Sequence, residues 1–146
     1  MAKSRAQELP GGAEELFAGH PESLEVYRAV RGAVEELGGA RERVTRSQVA
    51  WARRRGFAYA WRPGQYVRST VPLVLSVALP RQLTHPRVKE VAHPSPGTWM
   101  HHLELSGAGD VDEEVVDLLR QAAEAAGPQQ PGAASPAAPG APETGA

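Results

Sequence analysis

The chain has 146 residues, no cysteine, 16 basic and 17 acidic side chains, and a formal net charge of −1. That length fits one domain with a tail, and the missing cysteines exclude disulfides, thiolate metal sites and cysteine nucleophiles. Neither the start of the chain nor any later run is apolar enough for a secretion signal or a membrane span. The sequence therefore predicts a cytoplasmic protein with no membrane partner.

The charge is unevenly distributed. Residues 41–68 carry eight arginines against Glu42 alone, a net +7, whereas residues 110–146 carry Arg120 against seven acidic side chains, a net −6. Two interpretations stay open. The basic segment contacts an anionic partner, or the two segments face each other within the fold or between subunits.

The first part of the chain predicts a polar arm and a helix. Residues 1–12 end in Pro-Gly-Gly and are predicted to be disordered, and residues 13–18 are expected to add one helical turn. Pro21 suits a first helical position, and apolar residues then recur at three- and four-residue spacing as far as Leu37. Glycines directly after Leu37 are typical of a helix C-terminus.

The middle of the chain predicts β-structure. In residues 47–53 alternation places Val49 and Trp51 on one face, and Phe57, Tyr59 and Trp61 alternate with alanines. These segments are therefore predicted to form a hairpin with three aromatic side chains on one face. Because the chain has few other large residues to fill a core, these aromatics are expected to be buried.

The run from Val71 to Leu79 is the most apolar in the chain and is predicted to be the central strand. Alternation places its large side chains on one face, toward the helices, and small residues including Ser76 on the other. The small face is expected to carry further packing or a shallow pocket. Candidate lining residues for a pocket are Ser76, Trp61 and His101.

The last part of the chain predicts two strands, a helix and a tail. Residues 88–92 are predicted to form a brief edge strand, and residues 98–105 a longer one. Asp110 and Glu113 have capping-box spacing at the start of an amphipathic helix. Residues 127–146 contain only small and polar side chains, so they are predicted to be disordered.

A helix, a run of strands without a helical crossover and a second helix predict an α+β domain over residues 13–126. We expect an antiparallel or mixed sheet of about four to five strands. The N-terminal and C-terminal helices are expected to pack on one face of it.

Several stretches share the order and spacing of a known family: Leu16–Tyr27, Val44–Trp51, Arg55–Trp61, Trp99–Leu105 and Asp110–Val115. Over about residues 16–126 the chain resembles the bacterial domain-of-unknown-function family numbered 5655. The resemblance implies a small standalone domain and carries over no catalytic residue. Some relatives carry the label predicted transport protein, which the absence of a bilayer-length apolar run does not favour.

A histidine-rich strand carries the first group of candidate site residues. His102 and Glu104 share one face, where an imidazole beside a carboxylate can act as an acid/base pair or bind a divalent metal with water. His93 or Asp110 are possible helpers. The competing interpretation is an ordinary surface pair, with His101 on the opposite face, buried and hydrogen-bonded.

The basic hairpin carries the second group, and it gives the leading hypothesis. We expect a non-enzymatic binding module for an anionic partner, namely nucleic acid, a nucleotide or an acidic protein surface. The anion-binding candidates are Arg46, Arg53, Arg54, Arg55 and Arg62.

The alternative hypothesis is a small metal-assisted or acid/base enzyme that uses His102 and Glu104. No motif implies a cofactor. No serine has an evident base partner, so serine catalysis is not expected. The oligomeric state is left open by the sequence.

Overall fold

The computed structural model describes residues 7–128. Within that range the strands form an antiparallel sheet in the order β1-β2-β3-β4-β6-β5. The strands are β1 (Arg41–Val44), β2 (Val49–Ala52), β3 (Gly56–Trp61), β4 (Leu73–Leu79), β5 (Glu90–Ser95) and β6 (Thr98–Leu105). The predicted α+β class is confirmed. The sheet has six strands, above the predicted four to five, because both short segments at its edges pair with a neighbour.

The helices of the described range are α1 (Gly12–Leu16), α2 (Pro21–Glu36) and α3 (Glu113–Ala125). Pro21 lies in the first turn of α2, as predicted, where its missing N–H leaves no unpaired donor. The chain reverses after α2 through Gly38 and Gly39, whose φ angles of 111° and 85° favour glycine.

The predicted capping box of the C-terminal helix is wrong in its position. Asp112 is the N-cap of α3, and its carboxylate accepts a hydrogen bond from the Val115 N–H at 3.2 Å. Asp110 instead lies in a 3-10 turn before the helix and accepts from the Ser106 N–H at 2.8 Å. That turn moves the helix start past the residue that spacing alone favoured.

The central position of β4 is confirmed, since it pairs with β3 on one side and β6 on the other. Its face carrying Leu73, Leu75, Val77 and Leu79 packs in the core with α2 and α3, and we call this side of the sheet the helix face. The side on which Ser76 lies is called the pocket face.

The hairpin of β2 and β3 was expected to bury its three aromatic side chains, and Phe57 is fully buried in the core. Ala58 and Ala60 belong to the core on the helix face, where their small size lets the helices approach the sheet. Tyr59 and Trp61 pair in register with Ser76 and Val74, which places them on the pocket face. Tyr59 is buried and Trp61 is half-buried.

The chain before α1 pairs with the first strand. Glu8 forms a β-bridge with Thr45, and the Leu9 N–H donates to the Val44 carbonyl at 2.9 Å. The rest of the predicted arm, residues 1–6, and the predicted tail from residue 129 onward lie outside the described residues. No helix in the described range is long and apolar enough to cross a bilayer.

Candidate functional site

A pocket of about 360 Å³ lies on the pocket face of the sheet. Strands β3, β4 and β6 form its floor, and the loops that follow β1 and β3 supply its side walls. Its lining residues are Gln48, Tyr59, Trp61, Tyr66, Ser76, Met100 and His102. The structure thus places two of the sequence-based pocket candidates, Ser76 and Trp61, in one cavity.

Cross-strand register explains why these side chains meet. Ser76 on β4 lies directly opposite Tyr59 on β3 and opposite His102 on β6. Residues opposite each other in an antiparallel ladder project to the same face with side chains in contact. The Tyr59 side chain runs back over Gly56, where a Cβ atom would come within 2.2 Å of its hydroxyl oxygen. Glycine at that position therefore leaves room for the ring.

A hydrogen-bonded chain forms the polar part of the floor. The Trp61 Nε1–H donates to Ser76 Oγ at 3.0 Å, and Ser76 Oγ lies 2.6 Å from His102 Nδ1. The rings of Trp61 and His102 also meet edge to face, with centroids 6.0 Å apart. No base partner of Ser76 was evident in the sequence, because His102 lies on β6, which is adjacent to β4 in the sheet but distant from it along the chain.

Electrostatics keep His102 in its neutral form near pH 7. Burial is the main cause that lowers the pKa of His102, and the neighbouring His101 lowers it further. The carboxylate of Glu90, the register partner of His102 on β5, acts in the opposite direction and raises that pKa. The ring is therefore a neutral donor and acceptor that faces the Glu90 carboxylate.

The candidate pair His102 and Glu104 shares a face, but the two side chains play different parts. Glu104 is exposed and lies opposite Val74, whereas the hydrogen-bond partner of His102 is Ser76. Among the described residues, no group of three His, Asp or Glu side chains is arranged to hold a metal ion. His93 stacks on Trp99 with ring centroids 4.0 Å apart, and Asp110 accepts from the Ser106 N–H.

His101, the third pocket candidate, lies on the helix face. It is fully buried, its Nε2 accepts from the Leu83 N–H at 2.9 Å, and its Nδ1 lies 3.1 Å from the Trp99 carbonyl oxygen. These contacts place the proton on Nδ1, which donates to Trp99. Burial lowers the pKa of His101, which agrees with a neutral structural side chain.

Two of the candidate anion-binding arginines cap helices. Arg53 donates to the Leu37 carbonyl at 2.6 Å and to the Gly39 carbonyl at 3.1 Å, at the C-terminus of α2. Arg55 donates from its Nη2 to the Ala125 carbonyl at 3.4 Å, and its backbone N–H donates to Ala126 at 3.1 Å. Arg54, between them, is exposed. Cations at helix C-termini satisfy carbonyls that would otherwise lack partners.

The other two candidates, Arg46 and Arg62, lie on the loops beside the pocket. These loops are joined by a hydrogen bond of 3.0 Å from Gln65 Nε2 to the Ser47 carbonyl. Arg68 is exposed on the same connection as Arg62. We call Arg46, Arg62 and Arg68 the rim arginines. None of them forms an ion pair with another residue in the range 7–128.

A second group, which the sequence interpretation missed, surrounds Glu42. Its carboxylate accepts from the Tyr27 hydroxyl at 2.5 Å and from the Trp51 Nε1–H at 2.9 Å, and Arg31 lies 4.0 Å away. Burial and this carboxylate raise the pKa of Tyr27. A groove of about 570 Å³ adjoins the group. The available signal was that Glu42 is the one acidic residue within the basic segment.

The fold and the pocket together define a class: a small α+β domain with helices on one side of an antiparallel sheet and an apolar pocket on the other. Over residues 13–125 the chain matches the model of the family described as Domain of unknown function (DUF5655), and it belongs to that family. No curated protein and no solved structure matches the chain.

Proposed function

We propose that the protein is a non-enzymatic binding module whose pocket accepts an anionic ligand that carries a planar ring. One observation carries the proposal: the loops that supply the walls of an aromatic pocket with a hydrogen-bonded polar floor also carry three arginines that have no ion-pair partner among residues 7–128. A free nucleotide, or a base and phosphate of a single-stranded nucleic acid, has this chemistry.

The aromatic side chains support the ring-binding part of the proposal. Trp61 and Tyr66 meet edge to face with ring centroids 6.0 Å apart. The Trp61 ring on the floor and the Tyr66 ring in the wall therefore hold each other in place. Tyr66, which lines the pocket, is 61% exposed, and the adjoining Val67 is 62% exposed. Exposed aromatic surface next to a pocket is suited to stacking on a flat ligand.

The rim arginines support the anionic part. Guanidinium groups pair well with phosphate and carboxylate oxygens, and these three keep their charge available. Arg53 and Arg55 donate to helix carbonyls instead, so the proposed anion site uses Arg46 and Arg62 from the basic hairpin together with Arg68.

Binding of fluorescently labelled adenosine monophosphate and a labelled single-stranded oligonucleotide, at low and physiological salt, tests the proposal. Replacing the three rim arginines by alanine is expected to weaken binding about tenfold or more, because each lost contact to an anion contributes over a kilocalorie per mole. The matched control replaces three exposed arginines away from the pocket, namely Arg28, Arg54 and Arg120, and changes the net charge equally.

The two variants decide between local and general attraction. Loss of binding in the rim variant alone supports the pocket. Equal loss in both variants, or no binding by the wild-type protein at low salt, contradicts it. Binding that weakens with salt in proportion to the number of phosphates contacted favours the nucleic acid over the free nucleotide.

A second candidate is acid/base chemistry at His102, which one observation favours. The 2.6 Å contact with Ser76 gives His102 a hydroxyl partner of the kind found beside catalytic bases. In this version Ser76 takes the place that the sequence interpretation gave to Glu104. Hydrolysis of 4-nitrophenyl acetate that Ser76→Ala and His102→Gln both abolish would support it, and activity unchanged by either substitution would exclude this pair.

A further inference from the structure

The chain from Trp61 through Ser76 to His102 fixes where the protons lie. An indole nitrogen can only donate, so Trp61 occupies one lone pair of Ser76 Oγ. Ser76 is 2% exposed, and within residues 7–128 His102 Nδ1 is the remaining acceptor in contact with its hydroxyl, at 2.6 Å. A buried hydroxyl without an acceptor costs free energy, so Ser76 donates to Nδ1. Neutral His102 therefore carries its proton on Nε2.

That Nε2–H group is available to a ligand. It forms no hydrogen bond with a residue in the range 7–128. It is also not completely buried, so a ligand can reach it. His102 itself lines the pocket. The pocket therefore presents one fixed hydrogen-bond donor at its β6 side.

The charges around His102 restrict what this donor can bind. Glu90 faces it from β5 in register, Glu104 lies two residues along on the same face of β6, and His101 projects to the opposite face. Two carboxylates on this side disfavour an anionic acceptor. Arg46 lies on the loop between β1 and β2, which strands β3 and β4 separate from β6, and Arg62 directly follows β3, which β4 separates from β6. Arg68 lies farther along the connection from β3 to β4.

We infer that the pocket selects a planar ring with a neutral hydrogen-bond acceptor at one end and an anionic group at the other. His102 Nε2–H binds the neutral acceptor, such as a ring nitrogen or carbonyl oxygen, and the rim arginines bind the anion. The inference rests on the proposed function and adds an orientation and a ligand class to it.

Isonicotinate and benzoate are matched probes for this inference. The two ions have the same shape and charge, and they differ in one ring atom opposite the carboxylate, which is an acceptor nitrogen in isonicotinate and a C–H in benzoate. Titration of each into ¹⁵N-labelled protein, followed by NMR, gives both dissociation constants. We expect isonicotinate to bind about 3- to 10-fold more tightly, the range that one neutral hydrogen bond supplies.

Variants separate the two ends of the ligand. His102→Leu is expected to remove the preference for isonicotinate while benzoate still binds. The rim variant is expected to weaken both probes by a similar factor and to leave the preference intact. If His102→Leu does not fold, the ¹⁵N shifts of the wild-type His102 ring decide, because they distinguish a protonated Nε2 from a protonated Nδ1.

The outcomes distinguish this inference from the function on which it rests. Equal binding of both probes, or a proton on Nδ1 of the wild-type ring, overturns the orientation while leaving an anion-binding pocket. Failure of both probes and of the nucleotide to bind overturns the proposed function and the inference together. Preferential binding of isonicotinate with a protonated Nε2 supports both.

Discussion

His101 and His102 are neighbours in sequence, yet they belong to different environments. On the helix face, His101 is fully buried and both ring nitrogens contact backbone groups. On the pocket face, the His102 ring lines the pocket, with one nitrogen beside Ser76 and the other without a hydrogen-bond partner among residues 7–128. Strand alternation indicates that the two rings lie on opposite faces of the sheet, but residue type alone does not distinguish a structural histidine from a candidate ligand-binding one. The distinction lies in whether the second ring nitrogen has a hydrogen-bond partner.

The largest expected effect is a loss of stability when a buried residue of the helix face is substituted. Leu75 is fully buried between α2, α3 and its strand neighbours Ala60 and Leu103. Leu75→Ala should lower the free energy of unfolding by about 3 kcal/mol, since it removes buried methyl groups and leaves a cavity. Urea denaturation measures this loss. Met100→Ala, at the half-buried pocket wall, is the control and should cost clearly less; equal losses would contradict the division of the sheet into two faces.

Paired substitutions of the two histidines sharpen the comparison directly. His101→Phe leaves the Leu83 N–H without an acceptor and should cost about 2 kcal/mol of unfolding free energy. His102→Phe removes the contact with Ser76 beside an open pocket and should cost about 1 kcal/mol. Thermal and urea unfolding of both variants provide the measurement. A larger loss at His102 would mean that its role is structural.

The turn between β2 and β3, residues 53–55, shows the same contrast between a side chain that forms hydrogen bonds within the fold and one that is exposed. Arg53→Ala removes two hydrogen bonds to the carbonyls of Leu37 and Gly39, directly after α2, and should cost about 1 kcal/mol. Arg54→Ala, its exposed neighbour, should change the unfolding free energy by less than about 0.5 kcal/mol. Equal effects of the two substitutions in urea denaturation would argue against the capping role.

The smallest expected effect is the dependence of stability on pH. The pKa values of His101 and His102 are lowered by burial, so the unfolded chain binds protons more tightly. The stability that the two neutral rings contribute is present in full above the pKa of about 6.5 that histidine has in the unfolded chain. It is lost as the pH falls below that value. Denaturation at pH 7.5 and 5.0 should show this decrease, and His101→Phe should reduce it. Carboxylates such as Asp112 act only below about pH 4.

Much of the fold was predictable because it depends on local patterns. Residues close in sequence are enough to indicate which face of each element is buried. This holds for the apolar run around Leu75, the apolar stripe of α2 and the alternation of β6. Two features were not predictable in this way. The start of α3 moved because a 3-10 turn absorbed Asp110, and the strand count rose because edge pairing depends on the partner strand.

The candidate site was less predictable because it depends on register. Ser76 and His102 were each singled out, but their contact joins strands separated by a long connection, and a shift of one strand by one residue would put the two side chains on opposite faces of the sheet. Arg53 and Arg55 carried an identical local signal to Arg54, and only the positions of two helix ends distinguish them. Charge in a sequence therefore indicates a surface more readily than it indicates a partner.

The turn between β2 and β3 contacts the C-terminal ends of two helices, and these contacts affect how the helix ends unfold locally. Arg53 holds the end of α2 and Arg55 the end of α3, so a single short turn in the middle of the chain fastens two helices that lie far apart in sequence. Fraying of either helix end then requires the same hairpin tip to release its contacts. The last turns of both helices are expected to behave as one cooperative unit in hydrogen exchange, with amide protons that become exchangeable together.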